Sequence, residues 1–238
     1  MRMIHFFRHG QGGPRERYDR LSDAGRRQAW ELGRYLASHG CRFDAVISGG
    51  LQRQLETARI AREAWEAAGR TWPEQVTDEA WNEFDIEGLF RELAPRLAAE
   101  DAEFRRQYEA VRREAADPGS DVHRRWLPCD SAVLQAWLEE RYAAAVESWP
   151  EFQRRIAGAF QALTQAPGDG DLAVFTSATP IGLVMSRILG FPPLMALRLA
   201  GVSYNTSVTT VAVGPEGPAL VTFNATPHLD GGGLRTLR

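Results

Sequence analysis

The stretch Met3-Ile4-His5-Phe6-Phe7-Arg8-His9-Gly10, followed by Gln11-Gly12-Gly13-Pro14, decides the fold. Its first five residues form a short apolar and aromatic run, which predicts a buried strand, and the glycines and Pro14 end that run. Arg8 and His9 are therefore expected where the strand gives way to a loop. A guanidinium and an imidazole at the end of a strand are candidate binding or catalytic groups.

The alternation of strand, loop and helix continues along the chain. Ser22 predicts a helix N-cap, and apolar residues at helical spacing follow it as far as Gly40. Further helices are predicted over 51–68, 151–163 and 181–189, and further strands over 43–48, around 76, 172–176, 207–213 and 220–224. Ser177 is expected to begin the loop after the 172–176 strand, and the tail around 231–233 is expected to be loose.

Strands separated by helices of ten or more residues predict an α/β fold, a three-layer α/β/α sandwich with a mostly parallel sheet. The last two strands predict an antiparallel hairpin at one edge. Residues 89–145 are helical and heavily charged, with interruptions at Pro95, 117–119 and Pro128. We interpret them as a helical insertion that covers the site, within one domain of residues 1–238.

Composition restricts the classes of function. The 28 basic and 31 acidic residues nearly balance, which argues against a nucleic-acid or membrane surface spread over the molecule. The two cysteines have no metal-ligand spacing and form no disulfide framework. The chain has no apolar run long enough for a signal peptide or a membrane span, so a cytoplasmic monomer or homodimer is expected.

The position of His9 suggests phosphoryl transfer. Ligands bind outside the carboxyl ends of the strands in a parallel sheet, and Arg8, His9 and Ser177 are all predicted there. A neutral imidazole can attack phosphorus while a guanidinium holds the phosphate oxygens. Such a pocket needs several converging donors, so the tripeptide Arg8-His9-Gly10 alone is weak support.

The other motifs strengthen the case because they follow in a consistent order. They are Leu21-Ser22-Asp23-Ala24-Gly25-Arg26-Arg27-Gln28-Ala29, Ser48-Gly49-Gly50-Leu51-Gln52-Arg53-Gln54-Leu55-Glu56-Thr57-Ala58, Asn82-Glu83-Phe84-Asp85, Glu147-Ser148-Trp149, the segment 174–181 and Asn205-Thr206-Ser207-Val208-Thr209. Together with Arg8-His9-Gly10 they resemble the histidine phosphatase superfamily, also called the phosphoglycerate-mutase-like family. The resemblance covers most of the chain outside the insertion.

The resemblance implies a role for three residues. His9 corresponds to the phosphoryl acceptor, Arg53 to a second phosphate-binding arginine beside Arg8, and Glu83 to the proton donor. A carboxylic acid suits that step, because the leaving oxygen needs a proton and the same carboxylate can later activate water. Asp85 and Glu87 are the alternative donors.

The chain departs from the family pattern at one place. The usual segment there is Ser-His-Gly, whose histidine contacts the phosphate, and the matching residues here are Thr176-Ser177-Ala178. A serine hydroxyl can donate a hydrogen bond to phosphate but cannot carry the charge of an imidazolium. Ser177 and Ala178 are thus candidate phosphate-binding residues, with Gln11 and His228 as further candidates. A packing role is the ordinary interpretation of His228.

Three functions stay open at this point. The first is a phosphohydrolase that removes phosphate from a small phosphorylated substrate through a phosphohistidine on His9, with no metal or cofactor. The second is a mutase of the phosphoglycerate type, although the loop 11–20 is shorter than expected for one. The third is a catalytically weakened protein that binds a phosphorylated ligand or inorganic phosphate, and Ser177 motivates it.

Overall fold

The computed structural model describes residues 1–117, 119–123, 125–229 and 233–237, with only the backbone of Glu16. Pro118, Gly231 and Gly232, which belong to the predicted interruption and the predicted loose tail, lie outside the described residues. The strands are β1 (Arg2–Arg8), β2 (Ala45–Ser48), β3 (Gln75–Thr77), β4 (Leu172–Thr176), β5 (Val208–Gly214) and β6 (Gly217–Ala225). The helices are α1 (Asp23–Ser38), α2 (Gln52–Ala67), α3 (Ile86–Glu100), α4 (Ala102–Glu114), α5 (Pro128–Leu138), α6 (Trp149–Gln165), α7 (Ala178–Leu189) and α8 (Met195–Val202).

The strands form one mixed sheet in the order β3-β2-β4-β1-β5-β6. Strand β4 pairs in parallel with β1 on one side and β2 on the other, and β2 pairs in parallel with β3. Strand β5 is antiparallel to both β1 and β6. The predicted fold class, a mostly parallel sheet with an antiparallel hairpin at one edge, is therefore confirmed.

Neighbouring residues of β1 pack on opposite faces of the sheet, as strand geometry requires. Phe7 lies in a buried cluster with Leu36 of α1 and Trp65 of α2. Phe6, on the other face, packs against Trp81 and against Phe160 of α6, with ring centroids 5.4 and 6.2 Å away. Helices thus cover both faces of the central strand.

The chain divides into two compact units. The first contains Met1–Gly13, Arg17–Glu83 and Arg155–Arg238, and the second contains Pro14–Glu16 and Phe84–Arg154. The second unit is helical, and within it Arg15 forms a hydrogen-bonded ion pair with the buried carboxylate of Asp130, at 2.6 Å. That residues 89–145 cover the site stays a prediction.

Two local expectations are wrong, and one helix was not predicted. Helix α3 continues through Pro95, because the burial of Leu93 and Leu97 outweighs the hydrogen bond that proline cannot make. Helix α7 begins at Ala178, directly after Ser177, so no loop separates it from β4. Helix α8 was not predicted, since it has only eight residues and a single fully buried one, Ala196.

The predicted loose tail is also corrected for residues 234–237. Backbone carbonyls of this segment accept hydrogen bonds from Gln28, Asn205 and Arg8. The signal for this docking is absent from the local sequence, because the partners lie far away along the chain. Within the described residues, no helix has the length and apolar character needed to span a membrane.

Candidate active site

The parallel pairing of β1 and β4 brings two of the predicted site residues to the same edge of the sheet. Arg8 is the register partner of Thr176, and the backbone N–H of His9 donates to the carbonyl of Thr176 at 2.9 Å. His9 and Ser177 therefore leave adjacent strands side by side. This edge is the carboxyl end of the parallel strands, where ligands of such sheets bind.

His9 is buried, with 2% of its surface exposed, and its two ring nitrogens have different neighbours. Nδ1 lies 2.7 Å from the carbonyl oxygen of Gly10, which can only accept, so Nδ1 carries the hydrogen. Nε2 then has the lone pair in the neutral ring, and it accepts from Nε of Arg53 at 3.3 Å. The atom with the free electron pair thus faces a cation.

The surroundings favour the neutral form of His9. Burial lowers the pKa of its imidazole well below 6.5, and the positive charges of Arg53 and Arg8 lower it further. The hydrogen bond to Gly10 acts in the opposite direction but is the weaker influence. At neutral pH the ring is therefore uncharged, which is the form that can act as a nucleophile.

Gly10 permits a close backbone approach beside His9. A Cβ at this position would lie 2.5 Å from the carbonyl oxygen of Gly25 in the first turn of α1, so any side chain would displace backbone. The N–H of Gly10 donates to Oγ1 of Thr57 at 2.9 Å. The loop is thereby held between α1 and α2.

Two buried amide side chains hold the backbone on either side of Gly10. Nδ2 of Asn205 donates to the carbonyl of His9 at 3.2 Å. The N–H of Gln11 donates to Oε1 of Gln28 at 2.8 Å. The loop that carries His9 is therefore fixed by side chains from distant parts of the sequence.

The Arg8 guanidinium is only partly satisfied by the protein. Nη1 donates to the carbonyls of Ser203 and, at 2.8 Å, Leu237. Its Nε is buried and has no hydrogen-bond partner among the described residues. Burial lowers the pKa of Arg8 from its ordinary value and Arg53 adds to this, while Tyr18 and Glu83 act in the opposite direction.

Arg53, in the first turn of α2, contacts three residues of the site. Its Nη1 forms an ion pair with Oδ1 of Asp19 at 2.8 Å, and its Nε points at His9. The guanidinium lies 5.1 Å from the centroid of the Tyr18 ring, which in turn meets His9 edge-on. Nη2 takes part in neither of these two polar contacts.

Among the three candidate acids, Glu83 has the contact that points toward the site. Its Oε2 accepts from the N–H of Thr179 at 3.1 Å, in the first turn of α7. Asp85 instead caps α3, where it accepts from the N–H of Gly88 at 2.8 Å, and Glu87 is exposed. A helix N-terminus attracts negative charge, which accounts for the position of the Glu83 carboxylate.

Ser177 is the N-cap residue of α7 and is fully buried. Its Oγ accepts from Nε2 of Gln54 at 2.9 Å, and the same nitrogen donates to the carbonyl of Trp81 at 3.1 Å. Ala178 is the first residue of the helix and is also buried. The hydroxyl is therefore built into a polar contact with α2.

A protein-family model for the histidine phosphatase superfamily (branch 1) matches residues 4–136 and 130–226. The chain belongs to this superfamily. A comparison with curated protein sequences gives no match.

Solved structures share this histidine phosphatase fold at low sequence identity. Phosphoglycerate mutase from Bacillus anthracis str. Sterne is 16% identical with a TM-score of 0.65, the alignment covering 95% of this chain and 94% of that one. Alpha-ribazole phosphatase from Shigella flexneri is 16% identical with a TM-score of 0.62, covering 94% and 96%. A mutant phosphoserine phosphatase from Entamoeba histolytica in complex with phosphoserine is 18% identical with a TM-score of 0.59, covering 96% and 100%.

His228 and Gln11, the two further candidates for phosphate binding, contact other side chains of this histidine phosphatase fold. His228 places its Nε2 2.8 Å from Oγ1 of Thr206 and its ring 6.1 Å from Tyr35. The side-chain oxygen of Gln11 accepts from the hydroxyl of Ser22 at 2.9 Å. Both contacts are of the kind that packed polar side chains make.

Several residues at the site were not singled out from the sequence. They are Tyr18, Asp19, Gln28, Gln54, Thr57 and Thr236. Gln28, Gln54 and Thr57 lie inside the quoted motifs, so a helical projection of those motifs could have found them. Among the residues that the structure describes, no group of three or more histidine, cysteine, aspartate or glutamate side chains could hold a metal ion.

Proposed function

We propose that this histidine phosphatase is a phosphohydrolase that transfers the phosphoryl group of a small phosphomonoester to Nε2 of His9. The observation that carries the proposal is the hydrogen bond from Nδ1 to the carbonyl of Gly10, at 2.7 Å. It assigns the hydrogen to Nδ1 and leaves the lone pair on Nε2, beside the cation of Arg53. No metal or cofactor takes part in the proposed reaction.

The two arginines supply the positive charge that the transferred phosphoryl group requires. Phosphoryl transfer depends mainly on positioning and on charge stabilisation at the equatorial oxygens. Arg53 offers Nη2, and the buried Nε of Arg8 is a donor that needs an acceptor. Because an unsatisfied buried donor costs about 1–3 kcal/mol, a phosphate oxygen at Arg8 would recover that energy on binding. Ser177 and the N–H of Ala178 are proposed as further phosphate contacts at the start of α7.

Glu83 is proposed as the acid and then the base. Nε2 of His9 attacks phosphorus, the bond from phosphorus to the ester oxygen breaks, and that oxygen takes a proton from Glu83. Water then attacks the phosphohistidine and gives a proton to the Glu83 carboxylate, and the bond between phosphorus and nitrogen breaks to release phosphate. The electrostatic influence of Glu83 on Arg8 supports a position close to the bound phosphate.

The contacts of Ser177 favour a site adapted to serine over a site that has merely lost the usual histidine. Its side chain is fully buried and is held by Gln54, which is buried as well. We therefore favour a working enzyme over the weakened, ligand-binding alternative.

The proposal is tested with the purified protein, a His9→Ala variant and a His39→Ala control that removes an exposed imidazole. Each protein is incubated with a panel of phosphomonoesters that includes phosphoserine and 3-phosphoglycerate. Phosphate release is measured, and acid-labile phosphoenzyme is trapped by rapid quenching. We expect His9→Ala to lose the adduct and at least about a thousandfold in turnover, and His39→Ala to match the wild type.

Each alternative gives a different result in this experiment. Isomerised phosphoglycerate without net phosphate release would indicate the mutase. Binding of inorganic phosphate with no turnover and no adduct on any substrate would indicate the ligand-binding protein. An adduct that persists in His9→Ala would show that another residue is the nucleophile.

A further inference from the structure

The segment 234–237 is hydrogen-bonded to the part of the molecule that carries the candidate nucleophile. The carbonyl of Leu234 accepts from Nε2 of Gln28 at 2.5 Å, and the carbonyl of Thr236 accepts from the N–H of Asn205 at 2.8 Å. The carbonyl of Leu237 accepts from Nη1 of Arg8 at 2.8 Å. Three carbonyls of four consecutive residues are thus taken up by residues around His9.

The side chain of Thr236 joins two of these residues to one another. Its Oγ1 accepts from Nε2 of Gln28 at 2.9 Å and donates to Oδ1 of Asn205 at 2.9 Å. The hydroxyl thus accepts from the nitrogen of one amide and gives its single hydrogen to the oxygen of the other. Gln28 and Asn205 are both fully buried, and Thr236 is partly buried.

The opposite ends of the two amides hold the loop that contains His9. With its nitrogen turned to Thr236, Gln28 presents Oε1 to the N–H of Gln11 at 2.8 Å. With its oxygen turned to Thr236, Asn205 presents Nδ2 to the carbonyl of His9 at 3.2 Å. Thr236 therefore contacts both of the amide side chains that hold the backbone before and after Gly10, and its hydroxyl agrees with the orientation that those backbone contacts require.

We propose that Thr236 is a positioning residue that sets the orientation of His9 through Gln28 and Asn205. This inference rests on the proposed role of His9 as the nucleophile. Small displacements of a reacting group have large effects on rate, and a 1 Å error can cost about a hundredfold. Loss of the hydroxyl removes one contact from each amide, while Gln28 keeps the carbonyl of Leu234 and both amides keep their contacts with the loop. We therefore expect a smaller loss, of about tenfold.

The test compares Thr236→Val, which keeps the shape and removes the hydroxyl, with Thr236→Ser, which keeps the hydroxyl. Thr164→Val is the matched control, since Thr164 donates to the carbonyl of Gln161 within α6. For each protein kcat, KM, the rate of phosphoenzyme formation and the melting temperature are measured on the best phosphomonoester of the panel. We expect Thr236→Val to lower kcat and the phosphorylation rate about tenfold with KM within about twofold of wild type.

Rescue by the conservative variant separates positioning from bulk stability. Thr236→Ser is expected to restore kcat to within about twofold of wild type, and Thr164→Val to leave it unchanged. Should Thr236→Val fail to fold, Thr236→Ala carries the same prediction, because it removes the hydroxyl without placing a methyl group against the amides. An unchanged kcat in the variants that lack the hydroxyl, or equal loss in Thr236→Ser, would overturn the inference alone. A wild-type protein without turnover would overturn the proposed function as well.

Discussion

The two ends of strand β1 each carry a buried arginine, and the two guanidinium groups have opposite surroundings. Arg2 and Arg8 lie six residues apart on the same face of the strand, with 6% and 5% of their surfaces exposed. All three nitrogens of Arg2 donate to backbone carbonyls. Arg8 donates from Nη1 to two carbonyls and has a side-chain hydrogen bond with Tyr18, but its buried Nε has no partner among the described residues.

Arg2 is a structural residue by this measure. Its five acceptors belong to the connection between α6 and β4, at the carbonyls of Leu163, Ala166, Pro167, Gly168 and Gly170. The guanidinium thus binds carbonyls of this connection together with that of Leu163 in the last turn of α6, which also accepts from the N–H of Ala166. Because all three side-chain nitrogens of Arg2 donate to carbonyls, none of them is left to donate to a ligand.

Arg8 differs because its environment disfavours its own charge. It is buried close to a second cation, Arg53, and both conditions lower its pKa. Such an arrangement costs stability unless an anion completes it, and functional sites commonly contain such groups. The comparison therefore separates Arg2, whose donors all hold a loop, from Arg8, which keeps a buried donor without a partner among the described residues and which we propose binds phosphate.

The largest effect that this comparison predicts is a loss of turnover in the Arg8→Met variant. Loss of one charged donor to the transferred phosphoryl group is expected to lower kcat/KM by about a hundredfold to a thousandfold. The melting temperature should change little, because the loss of two hydrogen bonds is offset by relief of the buried charge. Steady-state phosphate release and thermal unfolding check the two parts of the prediction.

Arg8→Lys is the matched variant, since lysine keeps the charge but cannot present the planar set of donors. It should recover part of the lost activity and no more. Wild-type activity in Arg8→Met would end the assignment of this arginine to phosphate binding, whatever the stability of the variant.

The second prediction concerns the other end of the strand. Arg2→Met leaves five carbonyls without their donor, which is expected to cost about 3 kcal/mol of unfolding free energy. For a chain of this size that corresponds to a fall of about 6–12 °C in the melting temperature. Below the transition, kcat/KM should equal that of the wild type. A loss of activity at full stability would contradict the structural role.

The sheet could be predicted from the sequence because its signals are local. The apolar run before Arg8 predicts β1, and the 172–176 strand agrees with β4 residue for residue. Parallel strands end at the same edge of a sheet, so His9 and Ser177 could be placed at one edge without coordinates, whereas the adjacency of β1 and β4 could not be predicted. The continuation of α3 through Pro95 could not be predicted, since tertiary packing overrides the usual effect of proline there.

The supporting residues of the candidate site depend on long-range contacts. Asp19 contacts Arg53 across a separation of 34 residues, and Thr236 contacts Gln28 across 208. No periodicity or spacing predicts such a pair, because each side chain is an ordinary polar residue in its own segment. The same holds for Arg8 and the carbonyl of Leu237, which corrects the expected loose tail.

The smallest predicted effect is on the pH dependence of stability. It concerns the two histidines of this region, His5 within β1 and His9 just after it. Burial lowers the pKa of both, and for His5 the nearby Asp171 partly opposes the shift. Because the folded-state pKa lies below the unfolded value near 6.5, the unfolded chain binds more protons as the pH falls below that value. Stability should therefore decrease from about pH 6.5 downward, by at most about 1.4 kcal/mol per pH unit for each histidine. Urea unfolding at pH 7.5 and 5.5 should show a reduced pH dependence in His9→Gln and a smaller reduction in His5→Gln. The reverse order would mean that the charged form of His9 is better solvated than its burial beside two arginines indicates.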